Sequence, residues 1–421
     1  MKALKKINYF IANNRSLLSN FSNLSLIQFV SLLVPLLTYP YLIRVIGTQY
    51  YGNIIFAQAI VSYCIIFIDF GFNLYATSEV SKNKSNKEKI NEIFTNVISI
   101  KLIIYFLIFI IFYITTFFLN FDYLLYFLTL CICIYDVFFP LWYFQGTEKM
   151  TYISTIIIPC RILSLILIFL IIKDQSNYLM VPTIYAISSL VASLLSTYVI
   201  FRIEKINFKF SHLSKIKVYI KNAYYIFISN LVISLYLASN RVIVGLLLGN
   251  VKLAYYDLAE KITGILKVVQ SVISQTIYPK NNRDKNIDFI KKMLFASLII
   301  NSIIIGIVYF NADFIVLILG GSDMLESVKI LKILLFTVPI VGLSNYFGIQ
   351  ILLPFGFKKE FSRVILFSAL FYIFSILTLL YFDIMTIINI SLSLVIVEIF
   401  VAVFMFYETY KKNLWKKNTI I

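Results

Sequence analysis

Charged side chains stand inside stretches of this sequence that are otherwise apolar enough to lie in hydrocarbon. The cations are Arg44, Lys101, Arg161, Arg241 and Lys267, and the carboxylates are Asp69, Asp136, Asp257 and Glu260. A charge at the centre of a spanning helix costs roughly 2.5–3.5 kcal/mol on insertion scales. Such residues either face an internal, water-filled route or neutralise one another as ion pairs. Their spacing places them on shared helical faces. Gln58, Ser62, Asp69 and Asn73 fall on one face, and Asn230, Ser234 and Arg241 on another. Asp257, Glu260, Lys261, Gly264, Lys267, Ser271 and Ser274 form the most polar stripe; Gln28, Ser31 and Thr38 form a weaker one, and Glu398 stands alone. The stripes predict a net-cationic cavity between two halves of the chain. Local pairing, for example Glu260 with Lys261, stays open, as does snorkelling of Arg44 and Lys101 toward the span ends.

Other chemistries lack their raw material. The single histidine, His212, lies in a basic loop, and no phosphate-cradling glycine loop is present, so neither a His-based triad nor ATP hydrolysis is expected. Cys64, Cys131, Cys133 and Cys160 all lie in apolar runs, which implies no disulfide framework. Cys131 and Cys133 point to different sides of a helix, so no metal site or cofactor is expected. The outward connections are short, the longest being 311–328, and a catalytic role is not expected. The first apolar run is late, holds two prolines and lacks a small-residue cleavage pattern, so it reads as a permanent span.

The elements that must position these charges follow from composition. The chain is 60% hydrophobic and 14% charged, with a mean hydropathy of +0.89, against about 25% charged residues in soluble domains. Its apolar runs match the roughly 20 residues of a spanning helix rather than short alternating strands. The expected fold is an all-α integral membrane protein. Spans are predicted at 20–44, 54–77, 94–119, 123–143, 153–172, 179–201, 224–248, 255–279, 293–311, 329–353, 363–382 and 385–407.

The net charge of +17 gathers in alternate connections, which fits the positive-inside rule rather than a nucleic-acid partner. Lys2, Lys5, Lys6 and Arg15 share one side with the loops around Lys84, Lys149, Lys209, Lys285 and Lys358 and with the tail at Lys416 and Lys417. That set holds 27 of the 37 cations, so both termini are expected to be cytoplasmic. The basic connection 202–221 separates six-helix bundles at 1–201 and 222–421. Gly47–Ile60 (GTQYYGNIIFAQAI) and Gly249–Ile262 (GNVKLAYYDLAEKI) occupy matching places in the two, as parallel repeats require.

Several stretches carry a family resemblance. Residues 23–60 (NLSLIQFVSLLVPLLTYPYLIRVIGTQYYGNIIFAQAI) and 68–82 (IDFGFNLYATSEVSK) resemble the opening of O-antigen flippases of the Wzx type. PLWYFQGTEKM (140–150), ISNLVISLYLASN (228–240) and YYDLAEKI (255–262) extend it. That family is the polysaccharide-exporter branch of the superfamily that also holds multidrug and toxic-compound exporters. The resemblance implies two bundles about a central cavity, residence in the bacterial inner membrane and no enzymatic activity. The implied substrate is an undecaprenyl-pyrophosphate-linked O-antigen repeat unit, moved to the periplasmic leaflet by alternating access. On this reading Arg44, Lys101, Arg161, Arg241 and Lys267 attract the diphosphate, and Asp69, Asp136, Asp257 and Glu260 carry coupling ions. The pathway's polymerase and chain-length regulator are the implied protein partners. The competing expectation is a cation-coupled small-molecule exporter of the same superfamily, with a more acidic interior.

Overall fold

The computed structural model describes residues 15–119, 122–208 and 213–415. Lys2, Lys5, Lys6, Lys209, His212, Lys416 and Lys417 lie outside them. The described residues are helical with short connections. Helix α1 (Arg15–Asp69) is followed by α2 (Phe72–Lys82), α3 (Lys87–Leu119), α4 (Tyr123–Cys131), α5 (Ile134–Phe138), α6 (Leu141–Gly146), α7 (Met150–Ile171) and α8 (Met180–Tyr198). Then come α9 (Leu213–Leu248), α10 (Asn250–Asp284), α11 (Ile287–Phe310), α12 (Ala312–Gly320), α13 (Ser327–Leu334), α14 (Thr337–Asn345), α15 (Lys358–Tyr381) and α16 (Ile387–Lys411).

Ten helical stretches are long and apolar enough to cross a membrane. The first, Leu26–Lys82, contains a kink at Gly47 and supplies two passes. Helix α10 is 35 residues long and spans about 50 Å, but its polar stripe keeps it outside the apolar set. With it, the described residues make the twelve passes expected. Their outer faces are bare: only 22% of the most apolar window in Lys87–Thr115 is buried, and Phe106, Ile110 and Ile111 are exposed. Such surface requires lipid as its solvent.

Gly47 (φ 77°, ψ 165°) and Gly249 (φ 91°, ψ 165°) adopt the same backbone conformation. A side chain is strongly disfavoured there, so the matched segments open with the same glycine turn. This gives the internal repeat a conformational basis beyond sequence similarity.

Cα packing divides the chain into two compact units. One comprises 1–47 and 57–231, the other 48–56 and 232–421. The division runs inside α9 at 231/232, not in the basic connection at 202–221. The cause is packing by the first half of α9: Tyr219 and Ala223 join the core of the first unit, Phe227 stacks on Phe70 at 4.5 Å, and Asn222 donates to the Tyr75 hydroxyl at 3.1 Å. That core is built on Trp142, Phe144, Phe72 and Phe94. In the second unit Phe347, Ile351, Val364 and Met405 form a core with Trp415 against it.

Hydrocarbon removes the usual hydrophobic drive between helices, leaving close packing and interhelical hydrogen bonds. Ser196 donates to the Phe138 carbonyl at 2.9 Å and Ser188 to that of Cys160 at 2.9 Å. In the second unit Gln270 donates to the Val338 carbonyl at 2.9 Å, and Gln350, in the π-helical turn Tyr346–Leu352, to Ser274 Oγ at 2.8 Å. Each such bond contributes on the order of 0.6 kcal/mol.

Two expectations are corrected. The predicted span 54–77 breaks at Phe70 (φ 47°) and Gly71 (φ 75°), so the Gln58-to-Asn73 stripe is not continuous. Asp69 Oδ1 instead accepts the Asn73 N–H at 3.2 Å and supports the first turn of α2. The supposed long connection 311–328 contains α12, whose apolar residues Val316 and Ala312 are buried.

Candidate functional site

Each unit holds its own cluster of buried charge. In the first unit, the break between α1 and α2 leaves Asp69 at a helix end, facing Lys101 from α3. Lys101 Nζ lies 3.0 Å from Asp69 Oδ1 and donates to the Asp136 carbonyl at 3.2 Å. Lys101 is only 1% exposed, so it is buried rather than snorkelling. Asp136 belongs to α5, where the fourth pass is interrupted at 132–133, and its carbonyl is the feature that the interruption brings to Lys101.

Arg161 stands apart from that pair. It projects from the middle of α7, with Tyr135 and Tyr185 as its electrostatic neighbours. Tyr185 in turn has Thr38 and Tyr39 as polar neighbours. Among the described residues no carboxylate lies within ion-pair distance of the Arg161 guanidinium. This guanidinium is able to offer a planar fork of donors to an anion. Arg44, the remaining candidate of this unit, is exposed.

In the second unit α9 and α10 run out of and into the Gly249 turn, which sets Arg241 against the polar stripe. Arg241 Nε is 2.8 Å from Glu260 Oε2 and 3.5 Å from Asp257 Oδ1. Asp257, fully buried, pairs with Lys261 at 2.5 Å and accepts the Tyr51 hydroxyl at 2.8 Å. Lys261 in turn donates to the Tyr51 oxygen at 2.9 Å. The pairing therefore runs Glu260 to Arg241 and Asp257 to Lys261, not Glu260 to Lys261. Tyr51 enters because residues 48–56 pack with this unit, with Asn250 Nδ2 donating to Asn53 Oδ1 at 2.7 Å. Further along α10, Lys267 has Glu398 and Glu260 as electrostatic neighbours, without an ion pair to either.

Away from the span ends, Lys101, Arg161, Arg241, Lys261 and Lys267 are matched in number by Asp69, Asp136, Asp257, Glu260 and Glu398. The excess of bases belongs to the connections and to exposed Arg44. Among the described residues, Arg161 and Lys267 are the cations of this set without an ion-paired carboxylate. Sequence reasoning passed over the tyrosines Tyr51, Tyr135 and Tyr185. Tyrosine is abundant here, with 30 copies, and nothing in its type marks the few that meet a charge. Tyr51 alone had a signal, since it lies in the repeat segment matching 249–262.

No group of three or more His, Cys, Asp or Glu able to hold a metal exists among the described residues. The four cysteines are free thiols.

Comparison with known proteins agrees with this architecture. A protein of Escherichia coli (strain K12) that carries the provisional name O-antigen transporter is 29% identical over 369 residues, covering 85% of this chain and 88% of its own. A Shigella dysenteriae protein with the same provisional name is 21% identical over 364 residues, covering 85% and 92%. Among solved structures, the lipid II flippase MurJ in an inward closed conformation superimposes with a TM-score of 0.71 at 14% identity, covering 93% of this chain and 88% of its own. An inward-facing multidrug resistance MATE family transporter of the MOP superfamily gives 0.67 at 13% identity, covering 92% and 100%. At such identities the structural likeness is one of fold. The family model for polysaccharide biosynthesis protein matches residues 17–283, well over half the sequence, and the chain is a member of that family.

Proposed function

We propose that this multi-pass membrane protein is a flippase for undecaprenyl-pyrophosphate-linked O-antigen repeat units. It would carry them from the cytoplasmic to the periplasmic leaflet of the bacterial inner membrane by alternating access, with both termini cytoplasmic. The barrier to that movement is the burial of a diphosphate and many sugar hydroxyls in hydrocarbon. The observation that carries the reading is Arg161, a guanidinium within a span, beside tyrosines and with no ion-paired carboxylate. It supplies charge and bidentate geometry to a phosphate without first giving up a partner. Lys267 is the corresponding cation of the second unit.

Lys101 and Arg241 are held by carboxylates, so their role is conditional. Protonation of Asp69, or of Asp257 and Glu260, would release a cation to the diphosphate, and Asp136 beside Lys101 belongs to the same scheme. Ion coupling and substrate charge would then use the same residues. Exposed Arg44 is assigned to first attraction of the headgroup. The family and the names of the relatives support this reading, and with it a transporter rather than an enzyme. The pathway's polymerase and chain-length regulator are the proposed protein partners.

The test is deletion of the gene in a strain with no substitute flippase. The lipid-linked repeat unit should accumulate on the cytoplasmic face and surface polysaccharide should vanish. Restoration should come from the wild-type gene and not from R161Q. Normal surface polysaccharide in the deletion strain would sink the proposal. The balanced interior favours a second reading, a cation-coupled multidrug-type exporter, which predicts altered resistance to cationic dyes with polysaccharide intact.

A further inference from the structure

The second unit has an open groove of 580 Å³ along the first turns of α15, lined by Lys358, Lys359, Ser362, Arg363, Leu366 and Phe367. These positions recur at helical spacing and form one face. The face changes character along its length: two turns are basic and hydroxylic, and the third is apolar. The exposed apolar face continues through Leu370 and Phe374.

The local acids are already engaged. Arg363 Nη2 donates to Glu408 Oε1 at 2.7 Å, which fixes the guanidinium while leaving about half of that side chain exposed. Glu360 pairs with Lys412 at 2.8 Å. Lys358 and Lys359 have no hydrogen-bond or ion-pair partner among the described residues. The groove mouth therefore carries two uncompensated ammonium groups.

Its surroundings fix its level in the bilayer. Lys412 lies over the Phe357 ring at 5.0 Å, Lys285 over Phe355 at 5.6 Å and Lys291 over Trp415 at 4.9 Å. These aromatics pack together on the core of the unit. Lysines gathered at span ends, with Trp415 among them, mark the membrane–water boundary. The basic end of the groove is thus level with lipid headgroups, and Leu366 and Phe367 with acyl chains.

We propose that this groove binds a membrane lipid with an anionic phosphate headgroup. Lys358 and Lys359 neutralise the phosphate, Ser362 donates a hydrogen bond to it, and Leu366 and Phe367 receive the first part of the chain. A free anion would use only half of the groove. A zwitterionic lipid would bring its own cation to a surface already doubly positive. A glycerophospholipid and a polyprenyl diphosphate share the required chemistry. Unlike Arg161, the site needs no transport to be occupied, so it stands independently of the flippase reading.

The experiment is native mass spectrometry of the purified full-length protein with phosphatidylglycerol or phosphatidylcholine of identical chains. Wild type should retain one phosphatidylglycerol, with phosphatidylcholine held about tenfold more weakly, and K358Q/K359Q should lose about thirtyfold in phosphatidylglycerol affinity. L366S/F367S should weaken retention while preserving headgroup selectivity. Equimolar polyprenyl diphosphate displacing phosphatidylglycerol would name the prenyl lipid as occupant; failure to displace it would name the glycerophospholipid. Equal retention of phosphatidylglycerol by wild type and K358Q/K359Q would overturn the proposal. So would equal retention of phosphatidylcholine, or clearance of the lipid by low-millimolar inorganic phosphate.

Discussion

Replacing Lys101 by methionine isolates the energetics of the charge pair in the first unit. The ammonium is buried, 3.0 Å from Asp69 and 3.2 Å from the Asp136 carbonyl. Removing one partner of a buried pair costs about 3–5 kcal/mol, mostly because the other charge is left uncompensated. Asp69 keeps a side-chain exposure of 13% and the N–H of Asn73, so the lower end of that range, about 3 kcal/mol, applies. For a unit of roughly 200 residues this corresponds to a fall in melting temperature of about 6–12 °C. The D69N/K101M double variant removes both charges and keeps an amide oxygen to accept from Asn73. Since neutral replacements of a whole buried pair are often close to isoenergetic, it should recover at least half of the loss. Thermal unfolding in detergent, followed by fluorescence-detected gel filtration, reads all four corners of the cycle. A double variant melting no higher than K101M would refute the reasoning, as would K101M melting with wild type.

Three further outcomes are expected. In the second unit, R241E should lower stability by several degrees, and the exchange R241E/E260R should restore part of it, because the 2.8 Å contact is rebuilt with reversed polarity while the new carboxylate at 241 faces Asp257; melting curves decide this, and no recovery would count against the pairing. Gly52→Ala places a Cβ 2.0 Å from the Asn250 carbonyl oxygen, so the α1–α10 contact must open, and thiol cross-linking of N53C with N250C should drop at least severalfold in that background. Arg161→Gln should abolish export with insertion intact, whereas Arg161→Lys should retain a measurable fraction, since charge survives but the bidentate fork is lost; equal export by wild type and R161Q would remove Arg161 from the substrate route.

The passes were legible in the sequence because hydropathy and length are properties of single segments. Even α10, too polar for a hydropathy criterion, was recognisable from a stripe recurring at three and four residues. The glycine turns at 47 and 249 were visible as a faint repeat, and the backbone explains why glycine persists at both. What a single segment does not encode is which helix faces it. Asp69 and Lys101 are 32 residues apart and meet because the chain breaks at Phe70, a residue type with no preference for φ 47°. Tyr51 reaches Asp257 across 206 residues. Counting charges along the sequence likewise does not reveal which of them pair, as Arg241 does with Glu260 and Lys261 with Asp257.

The equality of cations and carboxylates within the spans has an electrical consequence. A rearrangement of the helices that carries both signs together transfers no net fixed charge through the membrane field. Work done by that field, about 2.3 kcal/mol per elementary charge per 100 mV, would then fall on whatever the protein carries and not on the carrier. Voltage dependence measured in a reconstituted membrane would report the valence of the cargo together with its coupling ions. A cargo accompanied by protons equal in number to its negative charges would cross without sensing the potential at all.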